Sequence, residues 1–409
     1  VTQTLSDRGR SALPPAALIT LGCLIAIFTF GPRSTMGFFL APMTSANDWS
    51  RETFALAIAI QNLMWGLGQP VAGMVADRFG TWRVLATGAV LYGLGLVLMA
   101  YTTDATTLQF TAGVLLGLGI AGAAYFLVLA AFARLLPERL RGIAFGLGTA
   151  AGSFGQLVFA PIGISVLDTY GYQTTLFVLA AFVMVVPILA IPLRGRPRTG
   201  AVAGTRDQSI REALGEAFGH RSYVLLTIGF FVCGFHVAFI TTHLPPYIID
   251  KGLSPSWGAW AIGMIGAFNV VGALIAGRLS SGVMPKRWVL SGIYAGRAVA
   301  YGAFWLLPVT PASVMVFSAF AGLLWLSTVP PTQALINVMF GTRYMATLFG
   351  FTFLSHQIGA FFGVWLGGLL FDRTGSYDGV WALGVLLGLA AAIIHLPIRE
   401  QPVARLAAA

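Results

Sequence analysis

Gly73-Met74-Val75-Ala76-Asp77-Arg78-Phe79-Gly80-Thr81-Trp82-Arg83 is a short charged interruption between two apolar runs, 53–76 and 83–101. A helix crosses a bilayer in about 20 residues, so each run is long enough to span and the interruption is a tight turn between spans. The pattern recurs along the chain. Apolar runs lie at 17–43, 53–76, 83–101, 107–133, 143–167, 175–193, 222–248, 257–281, 287–307, 311–339, 346–371 and 379–397, which predicts about twelve spans. The 409 residues are 57% hydrophobic and 9% charged, with mean hydropathy +0.82; a soluble domain is about 25% charged. The runs are long and do not alternate strictly, which favours helices over barrel strands. The 50 glycines suit close helix packing, as in Gly148-x-x-x-Gly152. The expected fold class is an all-α integral membrane protein.

Loop charge sets the expected orientation. With the N-terminus inside, 19 basic residues fall in inner loops and tails, and only Arg51, Lys251 and Arg373 in outer ones. That asymmetry follows the positive-inside rule and places both termini in the cytoplasm. The net charge of +10 therefore reflects topology and anionic membrane lipid, not nucleic acid. Cys23 and Cys233 both lie inside spans, so no disulfide framework is expected. No metal cluster, nucleophile–base set or ATP-binding loop emerges, so the chain reads as neither an enzyme nor a cofactor binder. The first apolar run is long enough to be a span, and no cleavable signal is evident. The organisation expected is a tail (1–16), a six-helix bundle (17–193), a cytoplasmic loop (194–221), a second six-helix bundle (222–397) and a tail (398–409). Within the central loop, Ser209 and Glu212 have capping-box spacing; the segment is either a surface helix or a plain linker.

The halves look like weak repeats. The second span ends in Gly73-x-x-x-Asp77-Arg78-x-Gly80-x-x-Arg83; the eighth ends in Gly277-Arg278-Leu279-Ser280-Ser281, with Lys286-Arg287 following. Two related six-helix halves with a site near the midplane is a common secondary-transporter plan. In a twelve-span chain, the first of these loops resembles the loop between helices two and three of the major facilitator superfamily. That resemblance implies two pseudo-symmetric bundles and a gating latch built from Gly73, Asp77, Arg78, Gly80 and Arg83. Ser281 stands where the second half would carry the matching Asp.

A narrower resemblance adds to it. Gly31-Pro32-Arg33-Ser34-x-x-x-Phe38-Phe39 is similar to the first helix of monocarboxylate transporters, and Arg141-x-x-Ala144-x-Gly146 to their fifth. The overall pattern also looks like the bacterial branch that includes the oxalate–formate antiporter, implying a bacterial inner-membrane location. There are departures. The acidic-Gly signature of the first helix is absent. The eighth helix has Asn269-x-x-Gly272-Ala273 where those transporters carry an Asp and an Arg. Gly113 replaces the arginine before Gly117-x-Gly119. A proton relay does not transfer from those positions.

Arg33 and Arg297 lie inside spans with no carboxylate at similar depth. A guanidinium near mid-bilayer costs roughly 2.5–3.5 kcal/mol on insertion scales, and its counter-charge can arrive as cargo. Arg33 follows a helix-breaking Gly-Pro pair, with Ser34 and Thr35 at hand to satisfy freed backbone groups. Arg297, ten residues past Arg287, sits about 15 Å into a roughly 30 Å core, with Tyr294 and Tyr301 on its face. Snorkelling for Arg33, and helix-end carbonyls for Arg297, are the alternatives. His236, His243 and His356 are the intramembrane proton carriers available. Gln61, Trp65, Tyr125, Gln156, Asn269, Trp325 and Thr328 form polar and aromatic stripes that line a cavity or glue helices together. The function expected is a monomeric secondary transporter of a small or medium organic anion, a mono- or dicarboxylate, coupled to protons or working by exchange. A carrier of a neutral aromatic or drug-like solute is the alternative, and a membrane solute sensor a third.

Overall fold

The computed structural model describes residues 13–194, 208–341 and 344–407. Among these, every regular element is helical. Nine helical stretches are long and apolar enough to cross a membrane. One of them, Gly146–Leu189, holds two helices joined at Gly171. Arg51–Phe79 and Lys286–Leu306 are as long but less apolar, and they complete the twelve. In chain order they are α1 (Pro15–Asn47), α2 (Arg51–Phe79), α3 (Thr81–Met99), α4 (Ala105–Phe132), α5 and α6 (the parts of Glu138–Met184 before and after Gly171), α7 (Arg221–Asp250), α8 (Pro255–Arg278), α9 (Lys286–Leu306), α10 (Pro311–Phe340), α11 (Met345–Thr374) and α12 (Asp378–His395).

Local chemistry sets the boundaries. The Ser50 hydroxyl accepts the Thr53 N–H and starts α2. Gly171, at φ 78° and ψ 174°, turns the chain from α5 to α6 in a backbone conformation that a Cβ would oppose. Thr310 and Ser313 cap the start of α10 reciprocally. The central segment holds a helix, Ile210–Gly219, and its capping box is formed as its spacing implies. The Glu212 carboxyl accepts both the backbone N–H and the hydroxyl of Ser209, which holds its pKa below the usual range.

Helix pairing repeats at an offset of six. α1 packs on α5 as α7 packs on α11; α2 on α4 as α8 on α10; α3 on α6 as α9 on α12. The seams between the halves obey the same rule, with α2 against α11 and α5 against α8. Two pseudo-symmetric six-helix bundles result, as the sequence predicts. Backbones touch within the α7–α11 pair: a Cβ on Gly234 would collide with the His356 carbonyl, and one on Gly359 with that of Phe231.

The seams differ along their length. At the Arg51 end, Arg51 of α2 pairs with Asp250 of α7 through two short contacts, 2.6 and 2.7 Å, and donates to Tyr377 Oη at 2.8 Å. The Asp372 carboxylate of α11 accepts the Arg51 and Glu52 backbone N–H groups at 3.1 and 2.6 Å. It thus caps a helix of the opposite half. Trp365 Nε1 donates to Glu52 at 3.0 Å. At the other end the four seam helices carry Gly73, Gly146, Gly277 and Gly350, and a Cβ on any of these would meet nothing within 4 Å. The backbone of the Asp77 turn is described, but the side chains of Asp77, Arg78 and Arg141 lie outside the described residues. Gly80, at φ 92°, ends α2 there, and Ser281 returns its hydroxyl to its own helix at Gly277 O, 2.8 Å.

The close α7–α11 approach gives a direct check. Gly234→Leu is expected to abolish the monodisperse peak on fluorescence-detected size exclusion, because backbone is the colliding partner. Gly146→Ala, in open space, should keep it.

Candidate functional site: a cavity between the bundles

Where helices break, polar groups gather. Pro32 has no N–H, and after it α1 tightens into a 3-10 turn, Met36–Phe39. Ser34 Oγ donates to Gly31 O at 2.6 Å and Thr35 Oγ1 to Pro32 O at 2.8 Å, so these hydroxyls satisfy the loosened turn. α10 breaks between Trp325 and Thr328, ahead of Pro330-Pro331. Both breaks face a narrow cavity between the halves.

Its lining includes Arg33, Ser34, Gln156, Thr241, Trp325 and His356, set among aromatic rings. Arg33 turns into the protein instead of reaching for lipid. Its Nη2 donates to Asn62 Oδ1 at 2.7 Å, and the guanidinium lies 4.4 Å from the Trp65 ring centre. Trp65 is held by Gln69, whose Oε1 accepts the indole N–H at 2.9 Å. Arg33 Nε is buried without a partner, and so is Gln156 Oε1. Gln357 donates to Asn62 O at 3.2 Å and pairs with His356 Nδ1 at 2.9 Å, tying the Arg33 anchor to His356 across the α2–α11 seam. The cavity therefore holds one fixed positive charge among its lining residues, unsatisfied polar atoms and apolar walls. Such a site suits an anion with an apolar body.

Of the binding residues expected from sequence, Arg33, Trp65, Tyr125, Gln156 and Trp325 line this cavity. Arg297, Gln61, Asn269 and Thr328 do not, because neighbouring groups engage them. Arg297 donates to the carbonyls of Leu324 and Trp325, the last of the first α10 segment, and reaches Cys233 Sγ at 3.5 Å. A cation among orphaned helix-end carbonyls is a structural cap. Gln61 donates to Ala112 O at 2.9 Å. Asn269 donates to Ser153 Oγ at 2.8 Å and accepts the Leu326 N–H at 2.9 Å, joining the α5–α8 seam to the α10 break. Thr328 Oγ1 sits 3.2 Å from Cys233 Sγ.

The histidines divide as well. His236 is enclosed by Gly384 O, 2.8 Å from Nε2, and by the Tyr301 ring, away from the cavity. His243 lies by the Arg51 latch, with Nδ1 3.3 Å from Tyr377 Oη and Nε2 2.8 Å from Val364 O. Only His356 of the three reaches the lining. Phe230, Phe349 and Phe353 escaped the sequence reading because apolar residues look alike whether they face lipid, core or cavity. One signal existed: Phe349, Phe353 and His356 follow at helical spacing on one face of α11.

The profile of the Major Facilitator Superfamily matches residues 22–364. The chain belongs to the Major Facilitator Superfamily. It is 27% identical over 381 residues to the uncharacterized MFS-type transporter YcxA of Bacillus subtilis (strain 168), covering 91% of this chain and 92% of that one. It is 23% identical to monocarboxylate transporter 12 of Xenopus laevis, covering 94% and 90%. Among solved structures it is similar to a D-xylose–proton symporter, with TM-score 0.76 and 15% identity over 95% of this chain and 99% of that one. A bacterial homolog of the human lysosomal transporter Spinster, inward-facing and unoccupied, matches with TM-score 0.71 and 16% identity over 93% and 95%. At that identity the structures establish the fold alone. This superfamily member is a multi-pass transporter, and its Arg33 lies where the monocarboxylate-transporter resemblance begins.

The two buried arginines should part in a stability measurement. Arg297→Met strands two helix-end carbonyls and is expected to cost about 2–4 kcal/mol, seen as a Tm drop of several degrees in detergent. Arg33→Met gives up one side-chain hydrogen bond, to Asn62, and the Trp65 contact but strands no helix-end carbonyl, so it should lower Tm less than Arg297→Met.

Proposed function

We propose that this transporter carries an organic carboxylate by alternating access, with Arg33 as the carboxylate ligand. The observation that carries the reading is the Arg33 guanidinium: it lines the cavity, its Nε has no partner, and no acidic side chain shares the lining. A carboxylate at that point gains a charge-assisted contact and removes an unsatisfied donor. Asn62 and Trp65 fix the guanidinium in place, so little freedom is lost on binding. The likeness to monocarboxylate transporters supports the same cargo class.

The Arg51 end is the outer one by loop charge. The structure then corresponds to a state latched outside, by Asp250 on Arg51 and Asp372 on the start of α2. Cargo can drive exchange between states only by binding one better than the other. The proton route best placed to bias that exchange is His243. Its ring touches Tyr377 Oη, which accepts from Arg51. A protonated His243 adds positive charge one hydroxyl away from Arg51 and so loosens the outer latch.

A neutral aromatic solute is the second reading, favoured by the rings in the wall. Calorimetry on three purified proteins separates the two. With a carboxylate ligand, Arg33→Gln should lose binding beyond detection, because the carboxylate would be desolvated against no opposite charge. Arg33→Lys should bind about tenfold more weakly, a point charge replacing a planar fork. Undiminished affinity in Arg33→Gln would leave the neutral-solute reading standing.

Coupling has its own readout. Uptake into proteoliposomes should rise as the external solution is acidified, and His243→Gln should flatten that rise. His236→Gln, walled off from both cavity and latch, should retain it. The reverse result would move the proton route to His236.

A further inference from the structure

Eight of the sixteen residues lining the cavity are Phe, Trp or Tyr, against 12% of the chain. All but the Trp325 ring form a connected surface, joined through Tyr125 and Phe126 at 4.2 Å. Trp65 meets Phe353 edge-on at 5.2 Å, Phe353 meets Phe126 at 5.7 Å, and Phe30 meets Tyr125 at 6.3 Å. His356 stacks on Phe353 with centroids 5.5 Å apart and planes 11° from parallel. The Arg33 guanidinium sits against one edge of this surface, over Trp65. No Asp or Glu is among the lining residues.

We propose, resting on the carboxylate reading above, that the cargo is an aryl-substituted monocarboxylate with no ammonium group: an arylalkanoate. One guanidinium neutralises one carboxylate. A second carboxylate would lose its water without gaining a counter-ion, and an ammonium would meet no carboxylate in the wall. A short aliphatic acid would satisfy Arg33 and leave the rings unfilled. An aryl group meets ring edges and faces already set in T-shaped and stacked arrangements, the geometry in which aromatic pairs attract beyond the area they bury. A saturated ring of the same outline is more hydrophobic but has no quadrupole, so it separates aromatic recognition from simple greasiness.

The experiment is calorimetric titration of the full-length protein in detergent with 3-phenylpropanoate, 3-cyclohexylpropanoate, butanoate, glutarate and phenylalanine. 3-Phenylpropanoate is expected to bind at least tenfold more tightly than each of the others. Phe353→Leu, checked for an unchanged Tm, should reduce the phenyl-over-cyclohexyl ratio to less than threefold. If butanoate, glutarate or the cyclohexyl acid binds as tightly as the phenyl acid, and Arg33→Gln abolishes it, the carboxylate reading stands and the aromatic inference falls. A phenyl-over-cyclohexyl ratio that survives Phe353→Leu also overturns the inference, since the rings would not be reading the cargo. If no acid binds while 3-phenylpropanol does, the carboxylate reading itself fails.

Discussion

In hydrocarbon there is no water to take up a freed N–H or C=O, so each break in a spanning helix must be repaired by the protein. This requirement shapes the centre of the molecule. Where α1 tightens after Pro32, the hydroxyls of Ser34 and Thr35 bond the carbonyls of Gly31 and Pro32. At the α10 break the repair comes from Arg297 on the carbonyls of Leu324 and Trp325, and from Asn269 on the Leu326 N–H. The repairs differ in what they leave over. Hydroxyls on the first helix leave Arg33 to Asn62 and Trp65 at the cavity, whereas the α10 break draws the other buried arginine onto its carbonyls. Two residues of the same type thereby end in different settings, one at the cavity wall and one at a helix end.

That contrast marks how far the sequence could be read. Twelve apolar runs became twelve helices because hydropathy acts over whole segments and needs no partner. The capping box at Ser209 and the repair at Pro32 were legible because they are local. For Arg297 the sequence offered both a cavity role and helix-end carbonyls, and only where α10 ends in space decides for the carbonyls. The same holds for Gln61, Asn269 and Thr328: a polar side chain inside a span is visible in the sequence, but the carbonyl or hydroxyl that engages it is not. The aromatic wall lay hidden for the opposite reason, since a Phe carries no polar mark to distinguish cavity from lipid. In the sequence Arg51 is only an outer-loop charge, and the fold alone reveals Asp250 as its partner across 199 positions.

The departures from the monocarboxylate-transporter pattern gain meaning against this geometry. The eighth helix carries neither charge of that pair, and its Asn269 bridges α5 and the α10 break. A neutral residue there ties the halves without adding a second charge to the cavity. In the proposed carboxylate site, the electrostatics of recognition then rest on the first helix alone, beside Trp65 and the rest of the ring system.

The latch at Arg51 has a consequence for how the molecule senses its surroundings. Its partners are partly open to solvent, with the Arg51 and Asp250 side chains 18% and 30% exposed. Surface charge pairs weaken as mobile ions screen them, and the screening length is about 8 Å at physiological ionic strength. The buried Arg33 contact is shielded from that screening by its walls. Salt on the Arg51 face therefore weakens this seam contact and leaves the buried Arg33–Asn62 contact largely untouched. In the proposed cycle, the composition of one bathing solution becomes a lever on turnover that is separate from affinity.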